Sequence, residues 1–302
     1  MNNQLIYKTI YNSKINFFLR NINKALNPFF LKNIKLPPSG KIKIKVGDKN
    51  LIINANQSSA MAKYLFWNGP LNFEFTPMFL DLVKNADVFV DIGANIGHYS
   101  LLTALTNPKA KIYSFEPAGG PNFYLNKNVK SNNFTNIKVE KIALSKNIGT
   151  IDFYEGQNKK YTYLKYDLSG EGNAGSLTEV IHTFKHVVVP TITLDEYVAN
   201  NSIEKIDLIK IDTEGTEHNI LAGASKVLDE YRPLIICETN FDQIETELDL
   251  VMGNHNYEFY FYLPTGGLKK SKTIKRQTND GACNCVFVPS EKTNLIKNFI
   301  IN

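Results

Sequence analysis

From Asp87 onward, short apolar runs with strand character alternate with stretches of helical spacing, and no other feature constrains the fold as strongly. DVFVD (87–91), KIYSFE (111–116), Ile137 to Leu144, KIDLIKID (205–212) and PLIICE (233–238) read as strands. Tyr99 to Leu105, Gly120 to Asn132 and Glu217 to Leu228 read as the intervening helices. Such alternation builds βαβ units and a mostly parallel, doubly wound sheet. Tyr257 to Leu263 and Asn284 to Pro289 read as two antiparallel strands joined by a polar, basic loop. Between residues 145 and 190 short alternating pieces, GTIDFYEG and HVVVP, sit among Gly, Asn and Ser and predict a β-rich insertion.

Ahead of this core, Leu5, Ile6, Ile10, Ile15, Phe18, Leu19, Ile22, Leu26, Phe29 and Phe30 recur at helical spacing, with Lys8, Lys14, Arg20 and Lys24 among them. A basic amphipathic segment over residues 1–38 is therefore expected. Such segments can lie on an anionic membrane surface, but the breadth of this apolar face favours packing on the core or on a partner subunit, as in a homo-oligomer. KIKIKVGDKNLII (41–53) alternates and turns at Gly47-Asp48, a hairpin signal. Thr76 and Pro77 read as the cap and first residue of a short helix reaching Asn85.

The net charge of +5 is unevenly placed: nine Lys or Arg and no acid precede Asp48, so the remainder is acidic on balance. An acidic core argues against nucleic acid, including RNA, as the partner. Three cysteines, Cys237, Cys283 and Cys285, favour a reducing, cytoplasmic location. Cys283 and Cys285 read as two half-buried thiols on one strand face rather than as half of a zinc site. No apolar run reaches the roughly 18 residues of a membrane span, and the first residues lack the apolar block of a secretory leader.

The chemistry concentrates at the first strand-to-helix turn, Asp91-Ile-Gly-Ala-Asn-Ile-Gly97. In an open α/β sheet, ligands bind beyond the carboxyl ends of the strands at this place. Gly93 permits a tight turn, Gly97 permits close approach to the helix start, and Asp91 can accept from an ammonium or hydroxyl group. The spacing D-x-G-x-x-x-G differs from the G-x-G-x-x-G of a dinucleotide turn, and a carboxylate two residues before the glycine would repel a diphosphate. Glu116, ending the second strand, is placed to accept from two ribose hydroxyls. Together these residues suggest adenosine joined to a cationic, amino-acid-like group, and they disfavour a nicotinamide-dependent oxidoreductase.

The segments VFVDIGANIGHYSL, FEP, TITLDEY, LIKIDTEGTEHNILAGA and PLIICET, in this order over roughly residues 65–240, resemble the FkbM family of methyltransferases. The resemblance implies a class I methyltransferase, Rossmann-like sheet of seven strands, order 3-2-1-4-5-7-6 with strand seven antiparallel. It implies S-adenosyl-L-methionine as cofactor and a hydroxyl of a sugar, glycan precursor or secondary metabolite as acceptor. Carried over by position, Asp91, Gly93, Ala94, Asn95 and Gly97 would surround the methionine portion, Glu116 and Pro117 the ribose, and Ala143 or Leu144 the adenine. Trp67, Asn68, Gly69 and Glu74 fall where the family has a segment folding over the cofactor. The expected division is thus an extension (1–38), a hairpin with covering segment (39–75) and a catalytic domain (76–302).

Transfer to a hydroxyl needs alignment and a base at the carboxyl end of the sheet. Asp212 and Glu214, after the fourth strand, are the candidates for orienting or deprotonating the acceptor, Glu214 the stronger. Glu217 reads as a helix-capping acid. Glu74, His98 and Glu238 are candidate acceptor contacts. No metal is assigned, although Asp212, Glu214 and Glu238 have the chemistry to hold Mg²⁺. The basic loop with Lys269, Lys270, Lys272, Lys275 and Arg276 reads as a solvated loop, or as one that meets an acidic acceptor. An inactive, membrane-associated binding protein on the same fold is the alternative, against which the presence of both Asp91 and Glu116 speaks.

Overall fold

Apolar strands flanked by helices on both sides can bury both faces at once, and this property organises the chain. The computed structural model describes residues 3–29, 34–168 and 182–301. Phe30 of the amphipathic pattern and residues 169–181 of the insertion lie outside the described residues. The chain begins with α1 (Asn3–Ile10), α2 (Ser13–Leu26), a hairpin of β1 (Gly40–Val46) and β2 (Lys49–Ala55), then α3 (Ala60–Asn68) and α4 (Thr76–Val83). The core follows with β3 (Val88–Ile92), α5 (His98–Thr106), β4 (Lys111–Phe115), α6 (Gly119–Ser131) and β5 (Ile137–Glu140). After β6 (Ala143–Leu144), β7 (Gly149–Asn158) and β8 (His182–Ile192) come α7 (Leu194–Asn200), β9 (Leu208–Ile211), α8 (Glu217–Ala222) and β10 (Leu234–Glu238). The chain closes through α9 (Glu245–Met252), β11 (Tyr257–Tyr262), β12 (Leu268–Ser271) and β13 (Asn284–Pro289).

The central sheet has the order β12-β11-β13-β10-β9-β3-β4-β5. Strands β5, β4, β3, β9 and β10 are parallel, and β13 runs antiparallel to both β10 and β11. From β5 to β11 this is the 3-2-1-4-5-7-6 order of the class I methyltransferase fold. Alternate residues of the strands enter opposite cores: Phe89, Leu208 and Ile236 on one face, Val90, Ile209 and Ile235 on the other. Register places Asp91 beside Lys210 and Ser114, a pairing the site depends on.

Several expectations are revised. The strand expected over Ile137 to Leu144 is two: β5 ends at Glu140, and Ala143-Leu144 pairs instead with β8 in a small sheet, β6-β8-β7, that constitutes the insertion. Helix α8 stops at Ala222 with Gly223 as its cap, where any side chain would strike the Ser145 carbonyl, and Val227–Tyr231 forms a separate wide turn. Thr76 opens α4 without capping it; its hydroxyl pairs with His98 Nε2 at 3.2 Å.

The basic loop is not fully solvated. Leu268–Ser271 adds an eighth strand, Lys270 pairs with Glu258, and Arg276 is buried against Glu245 at 2.6 Å while donating to the carbonyls of Thr239 and Ala282. The two neighbouring thiols differ, Cys285 being buried in β13 and Cys283 exposed before it. The hairpin turns where expected, with Ile42, Ile44 and Val46 inward and Lys41, Lys43 and Lys45 outward.

Helix α2 does not pack its apolar face on the core; its buried residues are Asn16 and Arg20. Among the described residues no helix is long and apolar enough to cross a membrane.

Candidate active site

Parallel strands end together, so loops after β3, β4, β9 and β10 converge on one edge of the sheet. There they enclose a cavity of about 470 Å³. Of the residues expected to serve the site, Gly93, Asn95, Glu116, Pro117, Ala143, Leu144, Asp212, Glu214, Glu74 and Glu238 all line it. Asp91, Ala94, Gly97 and His98 do not.

The first turn explains the division. Gly93 has φ 71°, and a side chain there would strike the backbone carbonyl of Asp212. The glycine therefore lets the β3 and β9 loops touch at the cavity floor. Gly97, at φ 95°, faces Leu125 of α6 instead, so its lack of a side chain serves helix packing and not ligand approach. The amides of Gly93 and Ala94 both donate to the Phe115 carbonyl at 3.0 Å, and that of Asn95 donates to Glu116 Oε2 at 2.8 Å. Three consecutive amides are thus turned inward onto β4, where a pyrophosphate-binding turn would aim them at ligand. This removes the physical basis for the nicotinamide reading.

Asp91 is 1% exposed and lies beneath the turn. Its Oδ2 accepts from the amide and hydroxyl of Ser100, and its Oδ1 has no hydrogen-bond partner. Burial pushes its carboxyl above the usual range. Lys210, its neighbour across the sheet, is 4% exposed and donates to Asp212 Oδ2 at 3.0 Å and the Gly93 carbonyl at 3.3 Å. Burial alone would lower the ammonium's pKa, but the carboxylates of Asp212 and Asp91 hold it above its ordinary value. Lys210 was not among the residues expected to serve the site. Its signal was a cation inside the otherwise apolar LIKI, since a charge in a strand covered on both faces must be paired.

Glu116 accepts from Asn95 at one oxygen and from Ala118 at the other, 2.9 Å, which fixes the carboxylate at the cavity wall. Burial raises its pKa to about 7 against the pull of those amides. Beside it Ala143, Leu144, Ile151, Phe153 and Leu168 make an apolar slot. The opposite end is acidic. Asp212, Glu214 and Glu238 present oxygens within 4.8 Å of one another. Burial, then the charges of Asp212 and Glu214, push Glu238 up to about 9. Glu74 joins this end, accepting from the Tyr99 hydroxyl at 2.7 Å, and burial raises its pKa as well. Asn95, Glu74 and Glu214 all have positive φ (51°, 42° and 60°), a strained backbone that clusters at functional sites.

Glu217 is structural, though not as a cap of its helix: its Oε1 accepts from the Thr213 amide at 2.7 Å and from Gly215, both ahead of α8, which ties down the loop carrying Glu214. His98 is buried away from the cavity, edge-on to Phe73, and burial lowers its pKa to about 3, so it is a neutral packing group. Of the expected covering segment, Glu74 reaches the cavity, whereas Trp67 donates to the Leu36 carbonyl and Asn68 accepts from Lys35. Met61 and Tyr64 of α3 and the neighbouring Phe73 form that wall instead.

The sheet order, with a cleft at the carboxyl edge of its parallel strands, defines a class I methyltransferase fold. Residues 91–259 match the methyltransferase FkbM domain, and the chain belongs to that family. It is 28% identical over 155 residues to the 2-O-methyltransferase NoeI of Sinorhizobium fredii, covering 50% of this chain and 63% of that one. It is 27% identical over 158 residues to the 31-O-demethyl-FK506 methyltransferase FkbM of Streptomyces tacrolimicus, covering 47% and 60%. It is also 25% identical over 159 residues to the hexuronic acid methyltransferase AglP of Haloferax volcanii, covering 53% and 59%. The matches span about three fifths of the length of these relatives.

Proposed function

We propose that the chain is an enzyme that transfers a methyl group from S-adenosyl-L-methionine to a hydroxyl oxygen of a sugar, glycan precursor or secondary metabolite. The observation that carries this reading is the polarity gradient of one cavity: the apolar slot at Ala143 and Leu144, the fixed carboxylate of Glu116, then the acids Glu74, Asp212, Glu214 and Glu238. An adenine, a ribose diol and a cationic sulfonium amino acid fit that order, since acids stabilise a nearby cation and apolar walls suit a base. Two relatives carry O-methyl chemistry in their names and a third a hexuronic acid, which supports a hydroxyl acceptor of carbohydrate-like kind.

When bound, the cofactor supplies an electrophilic methyl group on positively charged sulfur. The protein's part is to hold and to take a proton. Gly93 and Asn95 would lie along the amino-acid portion, Glu116 would accept from the ribose hydroxyls, and Ala143 and Leu144 would flank the adenine. Glu214 would accept the proton of the acceptor hydroxyl, with Asp212 held in place by Lys210. Glu238, whose pKa burial and the neighbouring acids raise in the free protein, would lie beside the cationic sulfonium and the acceptor. Alignment supplies most of the rate and a placed base adds about 10²–10⁴-fold.

The test is methyl transfer to a panel of sugar nucleotides and glycans, read by mass, with calorimetry for cofactor binding. Glu214→Gln is expected to bind cofactor as the parent does and to lose turnover by about 10²-fold or more. Full turnover in that variant would remove Glu214 as base. A parent protein that failed to bind S-adenosylmethionine would refute the function itself.

A further inference from the structure

A surface helix ordinarily buries its apolar stripe and exposes its polar one. Helix α2 is docked the other way round. Asn16, Arg20 and Asn23, spaced as one helical stripe, face the protein and bind the backbone of the segment that follows. Arg20 donates to the carbonyls of Ser39 at 2.7 Å and Lys41 at 2.6 Å, and Asn16 accepts from the Ser39 amide at 2.7 Å. Asn23 accepts from the Leu36 amide at 2.8 Å. Polar anchoring of this kind fixes the helix and leaves its apolar side outward. Phe18 is 65% exposed, Ile22 56% and Leu26 46%, with Leu19 beside them and Phe29, 83% exposed, beyond the helix end. Contiguous exposed apolar side chains of this size mark an interaction surface.

The charge around the face selects its occupant. Nine basic residues and no acid precede Asp48. Lys41, Lys43 and Lys45 form an exposed row on β1, the strand whose backbone Arg20 grips. A two-fold contact with a second copy would set this basic surface against itself. An anionic bilayer offers both apolar depth for the phenylalanines and phosphates for the lysines. We propose that α2 and the β1 lysine row form a docking surface for an anionic lipid bilayer, with α2 lying in the plane of the interface. The proposal is independent of the acceptor and of catalysis.

Sedimentation of the full chain with vesicles tests it. Vesicles of phosphatidylcholine with about one third phosphatidylserine are expected to bind at least about tenfold more tightly than phosphatidylcholine alone, and salt is expected to weaken the binding. Phe18→Ser with Ile22→Ser is expected to lower binding about tenfold with an unchanged melting temperature, because both side chains are exposed. Independently, Lys41→Glu, Lys43→Glu and Lys45→Glu together are expected to abolish the preference for anionic vesicles. The proposal is overturned if the parent chain remains in solution with anionic vesicles, or if neither variant changes its binding. It is likewise overturned if the parent is a dimer that Phe18→Ser with Ile22→Ser dissociates and no vesicle binding occurs, since the face then belongs to a second copy.

Discussion

Replacing Lys210 with methionine removes the ammonium that faces Asp91 and Asp212 while retaining most of the side-chain length, so the loss is electrostatic more than steric. Lys210 is 4% exposed and Asp91 1%, so water cannot take over the lost role. The ion pair it breaks is the one with Asp212, whose side chain is 32% exposed, and Asp91 feels the ammonium through space, so the expected loss lies at the lower end of the about 3–5 kcal/mol that breaking a fully buried pair costs. The loss should also depend on pH in a set direction. The folded pKa of Asp91 is raised by burial and held down by Lys210. Without the lysine it rises further, so the folded variant binds a proton that the unfolded chain, with its carboxylate pKa near 4, has released. The unfolded chain titrates alike in both, so stability of the variant relative to the parent falls as pH rises through the interval between the parent's folded Asp91 pKa and the higher one of the variant. Urea titrations at pH 5 and pH 7 measure it. A loss below about 1 kcal/mol at pH 7, or one no smaller at pH 5, would refute the account of Lys210 as the counter-charge of the site.

Three further outcomes follow from the geometry. Gly93→Ala, which meets the Asp212 backbone, is expected to cost about 3 kcal/mol or more, whereas Gly97→Ala, which meets the movable end of Leu125, is expected to cost about 1–3 kcal/mol; equal losses in urea titration would contradict the distinction. Because Glu238 is pushed up to about 9 and a bound cation favours its ionised form, S-adenosylmethionine should bind more tightly as pH rises from 7 toward 9 and should release protons. Calorimetry at pH 8 in two buffers of different ionisation enthalpy reads that release, and its absence would count against a cation beside Glu238. Arg276→Met is expected to destabilise by about 3–5 kcal/mol and Lys270→Met by less than about 1 kcal/mol, since the first breaks a buried network and the second an exposed pair.

The parts of the fold legible in the sequence are those with a strong local signal. β13 occupies the expected residues, β4, β9 and β10 fall within their apolar runs, β3 is displaced from its run by one residue, and the hairpin turns at Gly47-Asp48. The split at Glu140 was not legible, because Ile142, Ala143 and Leu144 continue an apolar pattern whether they join the central sheet or the smaller one; only the pairing of β6 with β8 separates them. Lys275 and Arg276 look alike as loop cations, yet Arg276 alone of the two is drawn inside by Glu245 and two carbonyls. In the site, Asp91 reads as a ligand group because it precedes the turn, but strand pleat turns its side chain under the helix to Ser100.

Local periodicity and turn chemistry by themselves determined the alternating strands and helices, the positions of Gly93 and Glu116 at strand ends, and the amphipathic character of residues 5–29. These depend on a residue and its near neighbours along the chain. Tertiary structure alone decided which charges meet: Lys210 with Asp212 and Asp91, Glu238 with Asp212 and Glu214, and Arg20 with the carbonyls that turn α2 outward. Electrostatic pairing and burial act through space between segments distant in sequence, and no periodicity records them.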